Sequence, residues 1–103
     1  MTEQKTYAFF QGNIVPIEDA KISIMNHSFM YGTAVFEGIR GYWNEKEEEM
    51  YLFRLREHFE RMADSMKIMY LQVPQSVDEL CKIVVELVKK NAPRTDTYIR
   101  TKA

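Results

Sequence analysis

One cysteine, two histidines and a net charge of −1 are the scarcities that bound what this 103-residue sequence can do. The lone Cys81 excludes an internal disulfide and suits a reducing compartment. Set among Leu80, Ile83 and Val84, its thiol lacks the accessible, electropositive surroundings of a reactive thiol and reads as a core filler. His27 and His58 are too few and too far apart to argue for a metal site. With 14 basic and 15 acidic residues there is no electrostatic footprint for nucleic acid or an anionic membrane. No apolar run approaches the ~20 residues of a membrane span, and Met1-Thr2-Glu3-Gln4-Lys5 lacks the apolar core of a signal peptide. Without such a signal, the glycosylation pattern Asn26-His27-Ser28 carries no weight. No phosphate loop, internal repeat or linker is present. The balance is that of a cytoplasmic globular protein.

What is there fits one domain. Hydrophobic residues make up 46% and charged residues 28%, and a chain of this size buries roughly two-thirds of its extended surface. Tyr7-Ala8-Phe9-Phe10 and Ile14-Val15-Pro16-Ile17 flank Gln11-Gly12-Asn13, so Gly12-Asn13 reads as a hairpin turn. Ala20 to Met25 alternates in part, through Ile22 and Ile24, and predicts a short strand. Ala34 to Trp43 is rich in β-branched and aromatic residues and predicts a long one. Gly32, Gly38 and Gly41 are poor strand packers and suggest a close approach of backbone or ligand. The charged run Asn44-Glu45-Lys46-Glu47-Glu48-Glu49 is a solvated hairpin tip, with the chain returning through Met50 to Phe53.

From Leu55 the period changes. Leu55, Phe59, Met62, Ala63, Met66 and Met69 share one helical face, the methionines serving as core packing. Val73-Pro74 is expected to break that helix. Ser76 and Glu79 then form a capping box for a second one, apolar along Val77, Leu80, Val84, Leu87 and Val88. It ends near Asn91, before Pro93. Thr97 to Thr101 predicts a last strand. The whole is an α+β domain, a small antiparallel sheet with two helices packed on one face.

Residues alone reach no further. Three motifs do. His27-Ser28-Phe29-Met30-Tyr31-Gly32-Thr33, Phe36-Glu37-Gly38-Ile39-Arg40 and Arg56-Glu57-His58-Phe59-Glu60-Arg61-Met62 occur in one order with consistent spacing. Together they resemble the N-terminal small domain of branched-chain amino-acid aminotransferases, pyridoxal-phosphate enzymes of fold type IV. The resemblance covers nearly all of residues 1–103 and implies roles residue by residue. Arg61 matches the arginine that holds the phosphate of pyridoxal 5'-phosphate, a task suited to directional, charge-assisted hydrogen bonds. Taken alone, Arg61 reads instead as an exposed ion pair with Glu57 four residues earlier. Tyr31, Phe36 and Tyr98 match aromatic positions of the substrate pocket, and Gly38 matches a position that leaves room for substrate. Arg100 matches the residue implicated in receiving the carboxylate of glutamate, although Thr101 stands where proline commonly follows. On this reading Arg61 faces the cofactor anion beside the aromatic cleft of Phe36 and Tyr98.

Glu37 and Arg40 are expected to pair with each other or across a dimer interface. The lysine that carries the cofactor and the acidic partner of its ring nitrogen match no position here. The resemblance puts them in a second, larger domain, so these residues alone are expected to be inactive. It further implies amino-acid and 2-oxo-acid substrates and a homo-oligomer. Two other readings stay open: the same fold acting on D-amino acids or aminodeoxychorismate, and a non-catalytic dimerisation or binding module.

Overall fold

The computed structural model describes residues 5–26 and 30–103; the His27-Ser28-Phe29 part of the first motif lies outside them. Two strands, β1 (Tyr7–Phe10) and β2 (Asn13–Pro16), form a hairpin followed by a 3-10 turn at Ile17–Asp19. The chain continues through β3 (Phe36–Asn44), β4 (Glu49–Leu52), α1 (Leu55–Ile68), α2 (Val77–Asn91) and β5 (Thr97–Lys102). The architecture is α+β, but the strands divide into two antiparallel sheets rather than one. The hairpin stands apart, and the second sheet runs β4-β3-β5.

Alternation along β3 gives the larger sheet two unlike faces. Glu37, Ile39 and Gly41 point to one side and are buried, while Phe36, Arg40 and Tyr42 point to the other and are exposed. Ile99 of β5 lies directly across from Ile39 and shares its side. The helices cover that side. Phe59, Met62 and Met66 of α1 and Val84 of α2 close over Val35 and Ile39 to make the core. Arg56 and Asp78 join the first turns of the two helices through an ion pair. Among the described residues, no helix lies over the other side of the sheet.

The capping box at Ser76 forms as expected: the Glu79 N–H donates to Ser76 Oγ, and the Ser76 N–H to Glu79 Oε1, each at 3.2 Å. The end of α1 departs from expectation. It stops at Ile68, well before Pro74, because Tyr70 adopts a left-handed conformation with φ 57°. The Tyr70 N–H then donates to the Lys67 carbonyl at 3.2 Å and the Leu71 N–H to the Met66 carbonyl at 2.8 Å. This is the Schellman pattern, usually built on glycine. Beyond that stop Met69 leaves the apolar stripe and is 41% exposed, so the methionine core is Met62 and Met66 alone.

Two further expectations fail locally. The hairpin turn is Gln11-Gly12, both at positive φ, and Asn13 already pairs with Phe10. Residues 20–26 form no strand: the Met25 N–H is taken by Ser23 Oγ at 3.0 Å and the Asn26 N–H by the Ser23 carbonyl at 3.0 Å. A serine that satisfies the backbone locally competes with a strand ladder. Asn91, in the last turn of α2, fixes the hairpin: its Oδ1 accepts the Tyr7 N–H at 2.8 Å and its Nδ2 donates to the Tyr7 carbonyl at 3.0 Å.

Candidate functional site

The face without a helix gathers four of the expected site residues. In the β3–β5 ladder Gly38 pairs with Arg100 and Arg40 with Tyr98, so Phe36, Gly38, Tyr98 and Arg100 lie on one side of adjacent strands. The Arg100 guanidinium carbon stands 5.4 Å from the Phe36 ring centroid and 6.0 Å from that of Tyr98. Both rings are more than half exposed. Among the described residues the Arg100 guanidinium has no hydrogen-bond or ion-pair partner, and a cation held over two aromatic rings by their quadrupoles is weakly fixed and free to turn toward a carboxylate. Gly38 is an exception to the expectation that it makes room for a ligand. The Tyr98 phenol occupies that room, and a side chain at position 38 would overlap it. The glycine is needed so that Tyr98 can lie flat across the strand.

The surface extends along β3 to the residues that follow β4. Tyr42 and Phe53 meet edge to face with centroids 6.2 Å apart, and the Arg54 guanidinium lies 5.6 Å from the Phe53 centroid. Tyr31, helical in backbone and preceding β3, is 66% exposed.

Arg61 is not on this face. It stands on α1, over the opposite side of β3, and its partner is neither Glu57 nor solvent alone. Its Nε donates to both Glu37 carboxylate oxygens, at 3.1 and 2.9 Å, and its Nη2 to Oε1 at 2.7 Å. His58 Nδ1 lies 2.8 Å from the same Oε1. A carboxylate only accepts, so Nδ1 carries the proton. The expected single cleft holding Arg61, Phe36 and Tyr98 together is therefore absent: the arginine and the aromatics lie on opposite sides of the first three residues of β3. The expected Glu37–Arg40 pair is absent as well, because odd- and even-numbered positions of a strand face opposite sides. The signal that could have found Glu37's partners was present. An acid sits in phase with Val35 and Ile39, pointing at a helix that offers His58 and Arg61 three residues apart.

The triad is electrostatically one-sided. Glu37 is 6% exposed, whereas the Arg61 side chain is 70% exposed. The Arg61 hydrogen bonds hold the Glu37 carboxyl below its usual value of 4.5, burial opposes them, and the His58 hydrogen bond assists. A group whose value is lowered by folding stabilises the fold fully above the usual value and ceases to do so as pH falls through the folded one. Denaturant unfolding of the parent and Glu37→Gln should thus differ most above pH 4.5 and converge on acidification. A difference that stays constant to pH 3 would contradict this account.

Among the described residues, Nη1 of Arg61 donates to nothing in the protein. The arginine therefore has one edge taken and one edge open, which suits a phosphate monoester. No group of described residues could hold a metal ion, and no helix among them is long and apolar enough to cross a membrane.

A family model described as amino-transferase class IV matches residues 34–103. The chain belongs to the class IV aminotransferase family. It is 50% identical over 94 residues to a probable branched-chain-amino-acid aminotransferase of Aquifex aeolicus, a match covering 91% of this chain and 30% of that protein. With the branched-chain-amino-acid aminotransferase of Escherichia coli K12 it shares 44% identity over 99 residues, 96% of this chain and 31% of the other. The crystal structure of the branched-chain aminotransferase of Thermoproteus uzoniensis with norvaline matches with a TM-score of 0.90 and 45% identity, over 96% of this chain and 33% of that one. The branched-chain amino acid aminotransferase of Thermobaculum terrenum in its PLP form matches with a TM-score of 0.86 and 40% identity, over 98% and 33%. These class IV aminotransferase residues thus span about a third of the length of the relatives they match.

Proposed function

We propose that residues 1–103 are the N-terminal small domain of an enzyme that uses pyridoxal 5'-phosphate to move an amino group between leucine, isoleucine or valine and 2-oxoglutarate. The observation that carries this reading is the Arg100 guanidinium poised over Phe36 and Tyr98. One surface must serve two unlike side chains in such a reaction. Exposed rings offer an apolar wall, and burying a branched aliphatic group is worth roughly 1.5–3 kcal/mol. The loosely held guanidinium offers the charge for the glutamate carboxylate. The names of the relatives favour branched-chain substrates over D-amino acids or aminodeoxychorismate.

The open edge of Arg61 fits the cofactor's phosphate, and the cofactor when bound supplies the electron sink for proton transfer at the amino acid's α-carbon. The phosphate and the substrate side chain would be received on opposite sides of the Phe36-Glu37-Gly38 segment. In this reading the large domain provides the lysine and the acid that this segment lacks. Tyr31, exposed here, would serve a neighbouring subunit of a homodimer in the cytoplasm.

The test is amino transfer by the full-length protein. Leucine with 2-oxoglutarate should give glutamate, D-alanine should give little, and residues 1–103 alone should give none. Transfer from D-alanine without transfer from leucine would select the alternative substrate class. Absence of transfer from any amino acid would favour the binding module.

A further inference from the structure

The Glu37–His58–Arg61 triad is a poor device for stability alone. A carboxylate placed between Val35 and Ile39 loses most of its hydration, and well-packed apolar residues commonly match or exceed a buried ion pair in stabilising a fold. What the triad does supply is orientation. Glu37 is rigid: it is buried on a sheet strand, its own carbonyl receives the Thr101 hydroxyl at 3.4 Å, and His58 steadies its carboxylate at 2.8 Å. Arg61 is the opposite, a long side chain 70% exposed. The carboxylate grips its Nε/Nη2 edge, which leaves the planar guanidinium little freedom about its last bonds.

We infer that Glu37, braced by His58, is a positioning residue that holds Arg61 by one edge so that the opposite, Nη1 edge meets a phosphate monoester. This rests on the reading of Arg61 given above. Two effects compete. Fixing an arginine in one arrangement is worth up to about thirtyfold in binding. The negative charge of Glu37 repels the doubly charged phosphate, by about tenfold across a solvated guanidinium width of about 6.5 Å. Orientation wins.

The experiment is equilibrium binding of pyridoxal 5'-phosphate and of pyridoxal, by absorbance titration of the cofactor-free full-length protein. Glu37→Asp keeps the charge but shortens the reach, and should weaken pyridoxal 5'-phosphate by about ten- to thirtyfold. Glu37→Gln also relieves the repulsion, and should weaken it by only about threefold. Pyridoxal, which lacks the phosphate, should bind both variants as it binds the parent, and that result also shows that each variant is folded. Equal weakening of both compounds would mean general damage and overturn the inference. So would unchanged or tighter pyridoxal 5'-phosphate binding, which would mean that Glu37 merely neutralises Arg61. Arg61→Gln separates the two levels. If it weakens pyridoxal 5'-phosphate while the Glu37 variants do not, only the positioning role fails. If it binds pyridoxal 5'-phosphate like the parent, the phosphate assignment of Arg61 fails with it.

Discussion

Phe59→Ala is expected to destabilise this fold heavily near room temperature. Phe59 is 2% exposed and sits between α1 and the sheet against Ile39, Met62 and Val84. Truncating such a residue costs about 3–5 kcal/mol, the transfer of the ring plus the cavity it leaves. The cavity would close poorly, because Ile39 is held in the central strand of the larger sheet, paired with Ile99 of β5. A folded unit of this size has a net stability of about 5–15 kcal/mol, so one substitution would remove between about a fifth and all of it. Urea titration followed by far-ultraviolet circular dichroism should show the midpoint falling toward zero. Phe53→Ala is the contrast: Phe53 lies exposed beside Tyr42 and Arg54, and its loss should change stability by about 0.5 kcal/mol or less. Equal midpoints for the two variants would place the core elsewhere.

The second large effect belongs to binding. Arg61→Gln should lower the affinity of the full-length protein for pyridoxal 5'-phosphate by about 10- to 100-fold, the range expected when a charge-assisted hydrogen bond to an anion is lost. Glutamine is the informative replacement, since it keeps a polar donor but has neither the charge nor the second edge. Within the domain the same change withdraws the main counter-charge of a buried carboxylate, so the Glu37 carboxyl should titrate higher than in the parent. Removing Glu37 instead leaves an exposed arginine that water can satisfy. The two halves of one ion pair should therefore be unequal to remove: Arg61→Gln more costly to the fold, Glu37→Gln less. Carboxyl titration by NMR, alongside melting of both variants, would reveal an unchanged Glu37 if the pair were of no consequence.

How much of this was legible beforehand follows from the physics of each element. The helices were readable because a 3.6-residue apolar period and the Ser76/Glu79 box are local signals with few alternatives. β3 was readable as a long strand from its β-branched and aromatic residues, whereas its two unlike faces emerge only from its pairing and burial. The end of α1 was not, because a left-handed tyrosine breaks the glycine rule on which such endings are recognised. Ile22 and Ile24 misled because alternation marks a strand only where another strand is available to pair with it. The place of Arg61 was half legible. Its helix followed from the apolar period that starts at Leu55, but which side of the sheet it stood on depended on the phase of Glu37 in β3. That phase sets the arginine against Glu37 and away from the aromatics.

The contact between Asn91 and Tyr7 spans 84 positions of sequence, and it governs the order in which the domain can assemble. A two-stranded hairpin is marginal by itself in water, so β1 and β2 gain a secure place only when the end of α2 exists to receive them. During synthesis β1 and β2 are made before α2 and settle only after it. In the interval they expose Phe9, Phe10 and Ile14 to the surrounding solution, where nascent-chain chaperones operate.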